Sequence, residues 1–312
     1  MIKNYFKQIK TASAQGYNPL DMIWCSIVYG ASPNNYVSFN FDKLNNYQRI
    51  TYVTNRLSRK LIKKYNDPKY IFFFENKATF LKRFSNYIGR TWISTKGLTF
   101  PEFSEFIQNK DKIIYKPIYE AQGVGIIVFD NLTDSQLIYN EIISLNQDAV
   151  LEEWIIQNEE LDKIYSDAIN CLRLITIYKD GKTTILTGGI TWGNGKKIAN
   201  ASASGIVSPV NLQTGTLEKP AADFSGKEYT NHPITGENLL NLKIPFWVET
   251  VNMINNAASE IPEVGYIGWD IAISDKGPII IEGNTEPGYK YYQIPCHLTD
   301  GIGNKEIYSS FL

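Results

Sequence analysis

Apolar positions in the first 65 residues recur at helical steps. Tyr47, Ile50, Val53, Leu57, Leu61 and Ile62 fall three and four apart, the stripe of an amphipathic helix of about five turns. Residues 1–65 as a whole read as a helical N-terminal cap. From about residue 70 the period changes, and short apolar runs typical of strands alternate with helical stretches: YIFFF (70–74), KIIYKP (112–117), GIIVF (125–129) and AVLEEWI (149–155). That alternation makes the class α+β. Thr99-Phe100-Pro101 opens one helix, and Thr133 or Asp134 caps another that runs to about Asn146. CLRLITIYK and TTILTGGIT meet at Asp180-Gly181, a hairpin turn. Residues 193–245, rich in Gly, Asn, Ser and Pro, read as loop and as a candidate mobile or substrate-facing region. A helix over about 246–260 and a last hairpin, GYIGWDIAIS then GPIIIEGN, follow.

Composition narrows the picture. With 312 residues, 43% of them hydrophobic, the chain can bury one large core or two to three smaller ones. Its 31 basic and 32 acidic residues give a net charge of -1, so a role on nucleic acid or an anionic bilayer would require a local patch. No apolar run approaches the roughly 18 residues that span a membrane, and the start, MIKNYFKQIKTASAQG, has no apolar signal region. Three scattered cysteines, Cys25, Cys171 and Cys296, form no CxxC pair and favour a reducing compartment, the cytoplasm. Two histidines, His232 and His297, are too few for most zinc sites. Only one of the six arginines, Arg173, lies beyond residue 90.

Candidate chemistry begins at the last hairpin. If Ile273 pairs with Ile279 across a Ser274–Pro278 loop, Asp270 lies opposite Glu282, roughly 5 Å apart at Cβ, and Asn284 shares the face of Glu282. A turn one residue shorter moves Asp270 off that face. Two carboxylates and an amide oxygen suit Mg²⁺, which takes carboxylates together with substrate phosphates; the alternative is a solvated outer face of an edge hairpin. In IYKPIYEAQGVGIIVF, Pro117 extends the backbone at Lys116 beside a small glycine-containing loop, Glu120–Gly125, which could fold over phosphates; a plain hairpin reads as well. LEEWIIQNEEL ends a strand with Glu152 and Glu153, where backbone at Trp154-Ile155 could meet an adenine edge and Glu159 or Glu160 a ribose; acids at a helix N-terminus are the plainer account. Asn170 precedes Arg173 by three residues in an apolar strand, and a buried guanidinium demands an anion, with Glu or Asp as the ordinary partner.

Taken in order, ENKATF (75–80), IYKPIYEAQGVGI (114–126), LEEWIIQNEEL (151–161), NCLRLIT (170–176), HPITG (232–236), IPFW (244–247), GYIGWDIAI (265–273) and IIIEGNTEPG (279–288) resemble the ATP-grasp superfamily. The match is closer to its sugar-transfer-associated branch, related to α-L-glutamate ligases. The resemblance implies two α+β subdomains clamping ATP: a cap over 1–68, a lid-side subdomain with the glycine loop over 69–150, and a C-terminal subdomain with the metal site over 151–312. It implies that Lys77, Lys116, Gln122, Gly123, Gly125, Glu152, Glu153, Ile155 and Glu159 bind nucleotide. Magnesium falls to Asp270, Glu282 and Asn284, and the transferred or acyl phosphate to Arg173. IANASASG (198–205) is similar to the branch's Asp-Asn-Gly-Gly stretch, and with Asn170 it makes Asn200 and Gly205 substrate candidates. The implied activity is carboxylate–amine ligation through an acyl phosphate, on a cell-surface sugar or its precursor. A sugar phosphotransferase and a non-catalytic ATP-binding partner of a glycosyltransferase are the alternatives. Tyr289, Tyr291 and Tyr292 could stack on a sugar, or simply pack.

Overall fold

The computed structural model describes residues 2–120, 123–195, 205–223 and 225–312. Gln122 and Asn200, two of the expected site residues, lie outside the described residues. Five helices open the chain: α1 (Ile2–Ala14), α2 (Pro19–Val28), α3 (Pro33–Ser38), α4 (Asn46–Arg49) and α5 (Asn55–Tyr65). The single long helix expected over 47–62 is therefore broken. Gln293 breaks it: its Oε1 accepts from Val53 N–H at 2.8 Å and its Nε2 donates to Val53 C=O at 3.2 Å, so the backbone there is satisfied without helical bonds.

The expected strand at 70–74 is α6 (Phe72–Glu75), followed by α7 (Lys77–Arg83). A short apolar run does not distinguish a buried strand from a helix, and tertiary packing decides here. Phe74 turns inward against Phe80, Phe84 and Trp269 while Phe72 stays half exposed. Asn76 then caps α7 by accepting from Thr79 N–H.

Two sheets follow. The smaller has four strands in the order β1-β4-β2-β3, from β1 (Trp92–Ser94), β2 (Ile113–Pro117), β3 (Ile127–Phe129) and β4 (Ala149–Glu153). Helices α8 (Phe100–Ile107) and α9 (Ser135–Ser144) cover it, the first opened by a Thr99–Glu102 capping box and the second capped by Asp134, as the sequence predicts. Because β4 runs as one strand from 149 to 153, this unit extends past residue 150. Residues 74–88, in turn, pack into the core of the other sheet.

That larger sheet is antiparallel, in the order β11-β10-β5-β6-β7-β8-β9. It comprises β5 (Cys171–Lys179), β6 (Lys182–Trp192), β7 (Ile206–Pro209), β8 (Ala221–Ala222), β9 (Glu228–Tyr229), β10 (Tyr266–Ser274) and β11 (Gly277–Asn284). The predicted β5–β6 hairpin turns at Asp180 (φ 52°) and Gly181 (φ 76°), the left-handed pair such a two-residue turn requires. The described part of 193–245 carries three strands of this sheet, with Ile206, Leu217 and Leu239 in the core, rather than open loop. Helices α10 (Glu159–Ile164), α11 (Trp247–Ala257) and α12 (Lys305–Ser309) complete the chain. No helix among the described residues is long and apolar enough to cross a membrane.

Each face of the large sheet has its own core. Leu172, Leu174, Ile267, Trp269 and Ile271 meet α6, α7 and α11 on one side. On the other, Ile175, Ile177 and Tyr266 lie under the cap helices. Asn66 anchors the cap to the sheet: its Nδ2 donates to Tyr266 C=O and Thr285 C=O, both at 2.9 Å, and its Oδ1 accepts from Tyr266 N–H at 2.8 Å. Asn66→Ala strands three buried backbone groups and is expected to destabilise the fold by about 2–4 kcal/mol. Urea unfolding that shows the same midpoint as the wild type would refute this role.

Candidate active site

A cavity of about 900 Å³ lies between the two sheets, lined among others by Lys77, Lys116, Glu152, Glu153, Ile155, Gly123, Arg173, Asp270, Glu282 and Asn284. The hairpin contributes its floor. Asp270 stands opposite Glu282 as predicted, but by a different route. The turn is tighter than expected, Asp275-Lys276 between Ser274 and Gly277, and Ile273 pairs with Pro278, one residue out of the expected register. A β-bulge at Ile281 then inserts the missing residue, so that Ile271 faces Ile280 and Asp270 faces Glu282. Gly283, between the two β11 donors, has no room for a side chain, since a Cβ would lie 2.8 Å from Phe74 Cδ1.

Asp270 does not stand alone. Arg173, its register partner on β5, donates from Nε and Nη2 to the two carboxylate oxygens, both at 2.5 Å. The anion that partners the half-buried Arg173 guanidinium is thus the expected magnesium ligand itself. One edge of Arg173 is spent on Asp270, while Nη1 makes no hydrogen bond among the described residues. Asn284 Nδ2 reaches both Asp270 Oδ2 and Glu282 Oε1 at 3.3 Å. Burial first, and the Asp270 carboxylate second, push Glu282 above the usual carboxylate range. One guanidinium therefore faces two carboxylates, Asp270 buried and Glu282 partly exposed to the cavity. The excess negative charge, with the Asn284 amide beside it, fits a hard divalent cation. Among the described residues no three His, Cys, Asp or Glu side chains form a metal cluster.

Opposite this floor are the lysines. Lys77, at the start of α7, donates to Glu120 C=O at the edge of the glycine loop. Burial pulls its pKa below the ordinary lysine value, against the opposing charge of Glu282. Lys116, on β2, donates to Glu152 Oε2 at 2.9 Å, and Arg90 Nε donates to the same oxygen at 2.6 Å. Burial raises the Glu152 pKa, but Arg90 and then Lys116 more than offset it and hold the group at about 2. Arg90 continues across to β11: its Nη1 donates to Ile280 C=O at 2.9 Å and its Nη2 to the bulge residue, Ile281 C=O, at 3.3 Å. Gly125 (φ 71°) packs where a Cβ would meet Pro117 Cγ at 2.9 Å, so the loop after β2 closes only on glycine. After Glu153, Trp154 N–H donates to Lys112 C=O, and the Ile155 backbone makes no hydrogen bond among the described residues.

A family model described as sugar-transfer associated ATP-grasp matches residues 56–299, well over half of the sequence. The chain belongs to this ATP-grasp family. Its fold is similar to that of several solved ATP-grasp enzymes, each at low identity. The ADP complex of PurK, an N5-carboxyaminoimidazole ribonucleotide synthetase, is 13% identical with a TM-score of 0.48, over 76% of this chain and 52% of that one. The ATP-grasp ligase PsnB with its minimal precursor is 12% identical, TM-score 0.48, over 85% and 69%. An L-amino acid ligase from Bacillus licheniformis is 12% identical, TM-score 0.45, over 71% and 43%. The chain thus spans about half the length of the first of these. No curated protein matches it.

Not every expected ATP-grasp residue reaches the cavity. Glu159 lies outside the cavity lining; its exposed carboxylate pairs with Lys163 at 2.7 Å, one turn on. Asn170 is fully buried and spent on the fold, donating to Leu161 C=O and Tyr165 C=O and accepting from Gly193 N–H. Gly205 is buried outside the cavity lining. Glu152 lines the wall, yet its carboxylate is occupied by Arg90 and Lys116. Of the tyrosines, Tyr291 and Tyr292 line the cavity, whereas Tyr289 donates to Asn35 of the cap at 3.2 Å. Arg90 is the residue that sequence reasoning missed. A lone arginine at the start of a strand carries no local signal.

Glu152→Gln leaves two buried cations without their counter-charge and is expected to cost about 3–5 kcal/mol of stability at neutral pH. Because the folded pKa, about 2, lies below the ordinary glutamate value of 4.5, the contribution is full above pH 4.5 and is lost as pH falls towards 2. Denaturation of both proteins across that window should show the two curves converging. A constant gap would mean that the carboxylate charge is not what matters.

Proposed function

We propose that this protein is an ATP-dependent carboxylate–amine ligase acting on a sugar-linked substrate. One observation carries the reading: a floor of Asp270, Glu282, Asn284 and Arg173 and a wall of Lys77 and Lys116 share one cavity. ATP would lie with its adenine at the Glu153–Ile155 strand end and its phosphates between the lysines and the floor, under the loop containing Gly123 and Gly125. Magnesium, held by Asp270, Glu282 and Asn284, would neutralise phosphate charge. A carboxylate is a poor acylating agent, so attack of its oxygen on the γ-phosphorus, with ADP leaving, produces an acyl phosphate. An amine then attacks the acyl carbon, phosphate departs, and an amide forms. Lys77 and Lys116 offset charge on the phosphates, and Arg173 Nη1 stabilises it on the departing group. Glu152 holds Lys116 in place. Closure of the glycine loop would keep water from the acyl phosphate. The free thiols and the need for ATP support a reaction in the cytoplasm.

Glu282→Gln and Asp270→Asn are expected to leave the protein folded and to abolish ADP release. Lys116→Ala should weaken ATP binding by roughly tenfold or more, the loss of a charge-assisted contact of about 1.5–3 kcal/mol. Hydroxylamine, added with ATP and a panel of uronic acids, should trap a hydroxamate. If turnover yields a phosphorylated sugar with no hydroxamate and no amide, the ligase reading falls and a phosphotransferase replaces it.

A further inference from the structure

The net charge of -1 conceals a strong asymmetry. Residues 1–68 contain ten Lys and Arg, three Asp and no Glu, a net of +7, which leaves -8 on the rest. The cap also exposes apolar surface of a particular shape. On α2, Met22 and Cys25 face the core, while Leu20, Ile23, Trp24 and Ile27, spaced at three and four residues, form the opposite face. Leu20 is 75% exposed, Trp24 54% and Ile27 65%. This is a complete helical stripe without a partner, not scattered surface residues.

Basic residues flank it. Helix α1 buries Ile9 and Ala12 in the same core and is tied to α2 by Tyr5 Oη, which donates to Ser26 Oγ at 2.8 Å. The two helices lie side by side, so their outer surfaces are neighbours. The outer surface of α1 presents Lys3, Lys7 and Lys10, with Phe6 59% exposed beside them. At the other end of α2, Arg56 of α5 donates to Ser26 C=O and Ile27 C=O. From there α5 displays Arg59, Lys60 and Lys63. Among the described residues none of these six cations has an ion-pair partner. The helices α1 to α4 all precede the stretch that matches the family.

We infer that the cap docks on an anionic lipid surface, with the Leu20–Ile27 stripe of α2 entering the headgroup boundary and the lysines of α1 and α5 meeting lipid phosphates. Two chemistries converge on that occupant. An apolar stripe carrying a tryptophan and rimmed by lysine is the pattern of an interfacial helix. A nucleic acid would use the cations and leave the Leu and Ile side chains without purpose. A protein interface would favour Arg over Lys around its apolar centre. The inference concerns location only and does not depend on the reaction in the cavity.

The test is co-sedimentation of the full chain with phosphatidylcholine vesicles, with and without phosphatidylglycerol. Binding should require the anionic lipid and weaken at about 0.5 M salt. Replacing Lys3, Lys7 and Lys10 together by Glu should lower partitioning by roughly a hundredfold or more, since three attractive charges become repulsive ones at the surface. Trp24→Glu should abolish it. All these side chains are exposed and far in sequence from the cavity residues, so thermal stabilisation by Mg-ATP should be unchanged, which shows that the variants are folded. Failure of the wild type to bind either vesicle overturns the inference. So does a wild-type dimer that Trp24→Glu converts to a monomer without any vesicle binding. Binding of a duplex DNA or tRNA probe that Trp24→Glu leaves intact, again without vesicle binding, overturns it in favour of a nucleic-acid surface.

Discussion

Everything at the site hangs on a carboxylate that is unavailable to any ligand. Glu152 is almost completely buried and holds Lys116 on one side and Arg90 on the other. A single buried charge in this position would be severely costly, and the two cations would be equally costly without it. Their mutual dependence is what makes the arrangement rigid. Arg90 then carries the constraint across the gap between sheets, because its remaining donors hold the carbonyls of Ile280 and Ile281. The small sheet, with its lysine, and the large sheet, with its carboxylates, are thus located by one side chain that takes no part in the proposed chemistry.

The large sheet divides one of its faces between two tasks. Under the cap, Ile175, Ile177 and Tyr266 give it an ordinary apolar core. A few residues along the same strands, Arg173 and Asp270 face each other instead. The alternation of the strands is unchanged; only the chemistry of the outward positions switches. The cap ends where the switch occurs. Had it extended further, it would have buried two acids against one arginine, whereas the open stretch allows a cation and phosphates to complete the charge balance.

Much of this was legible in the sequence, because the strongest signals were local. The two-residue period put Glu282 and Asn284 on one face, an assumed register added Asp270, and the glycine loop was read beside Lys116; only the family resemblance joined the loop and the hairpin in one site. What could not be read depended on partners distant in the chain. Gln293 interrupts a stripe 240 residues away, Trp269 and the surrounding aromatics turn 70–74 into helix, and Asn170 serves Gly193 rather than a substrate. The facing of Asp270 and Glu282 is a special case, since a shorter turn and an unforeseen bulge are opposite errors of one residue that cancel. Arg90 had no pattern to betray it, and Arg173 drew notice by its isolation but kept its partner hidden until the strands were paired.

The bulge at Ile281 also changes what insertions and deletions this hairpin can inherit. The facing of Asp270 and Glu282 depends on the count of residues between them, not on how that count is divided between turn and strand. One residue lost from the bulge and one gained in the Asp275-Lys276 turn would restore the same facing, although either alone would rotate the carboxylates onto opposite faces. Related chains could therefore differ in both turn length and strand regularity while keeping the same pair of acids across from each other. An alignment that scored the two gaps separately would record two disruptions where the hairpin had undergone a single compensated change.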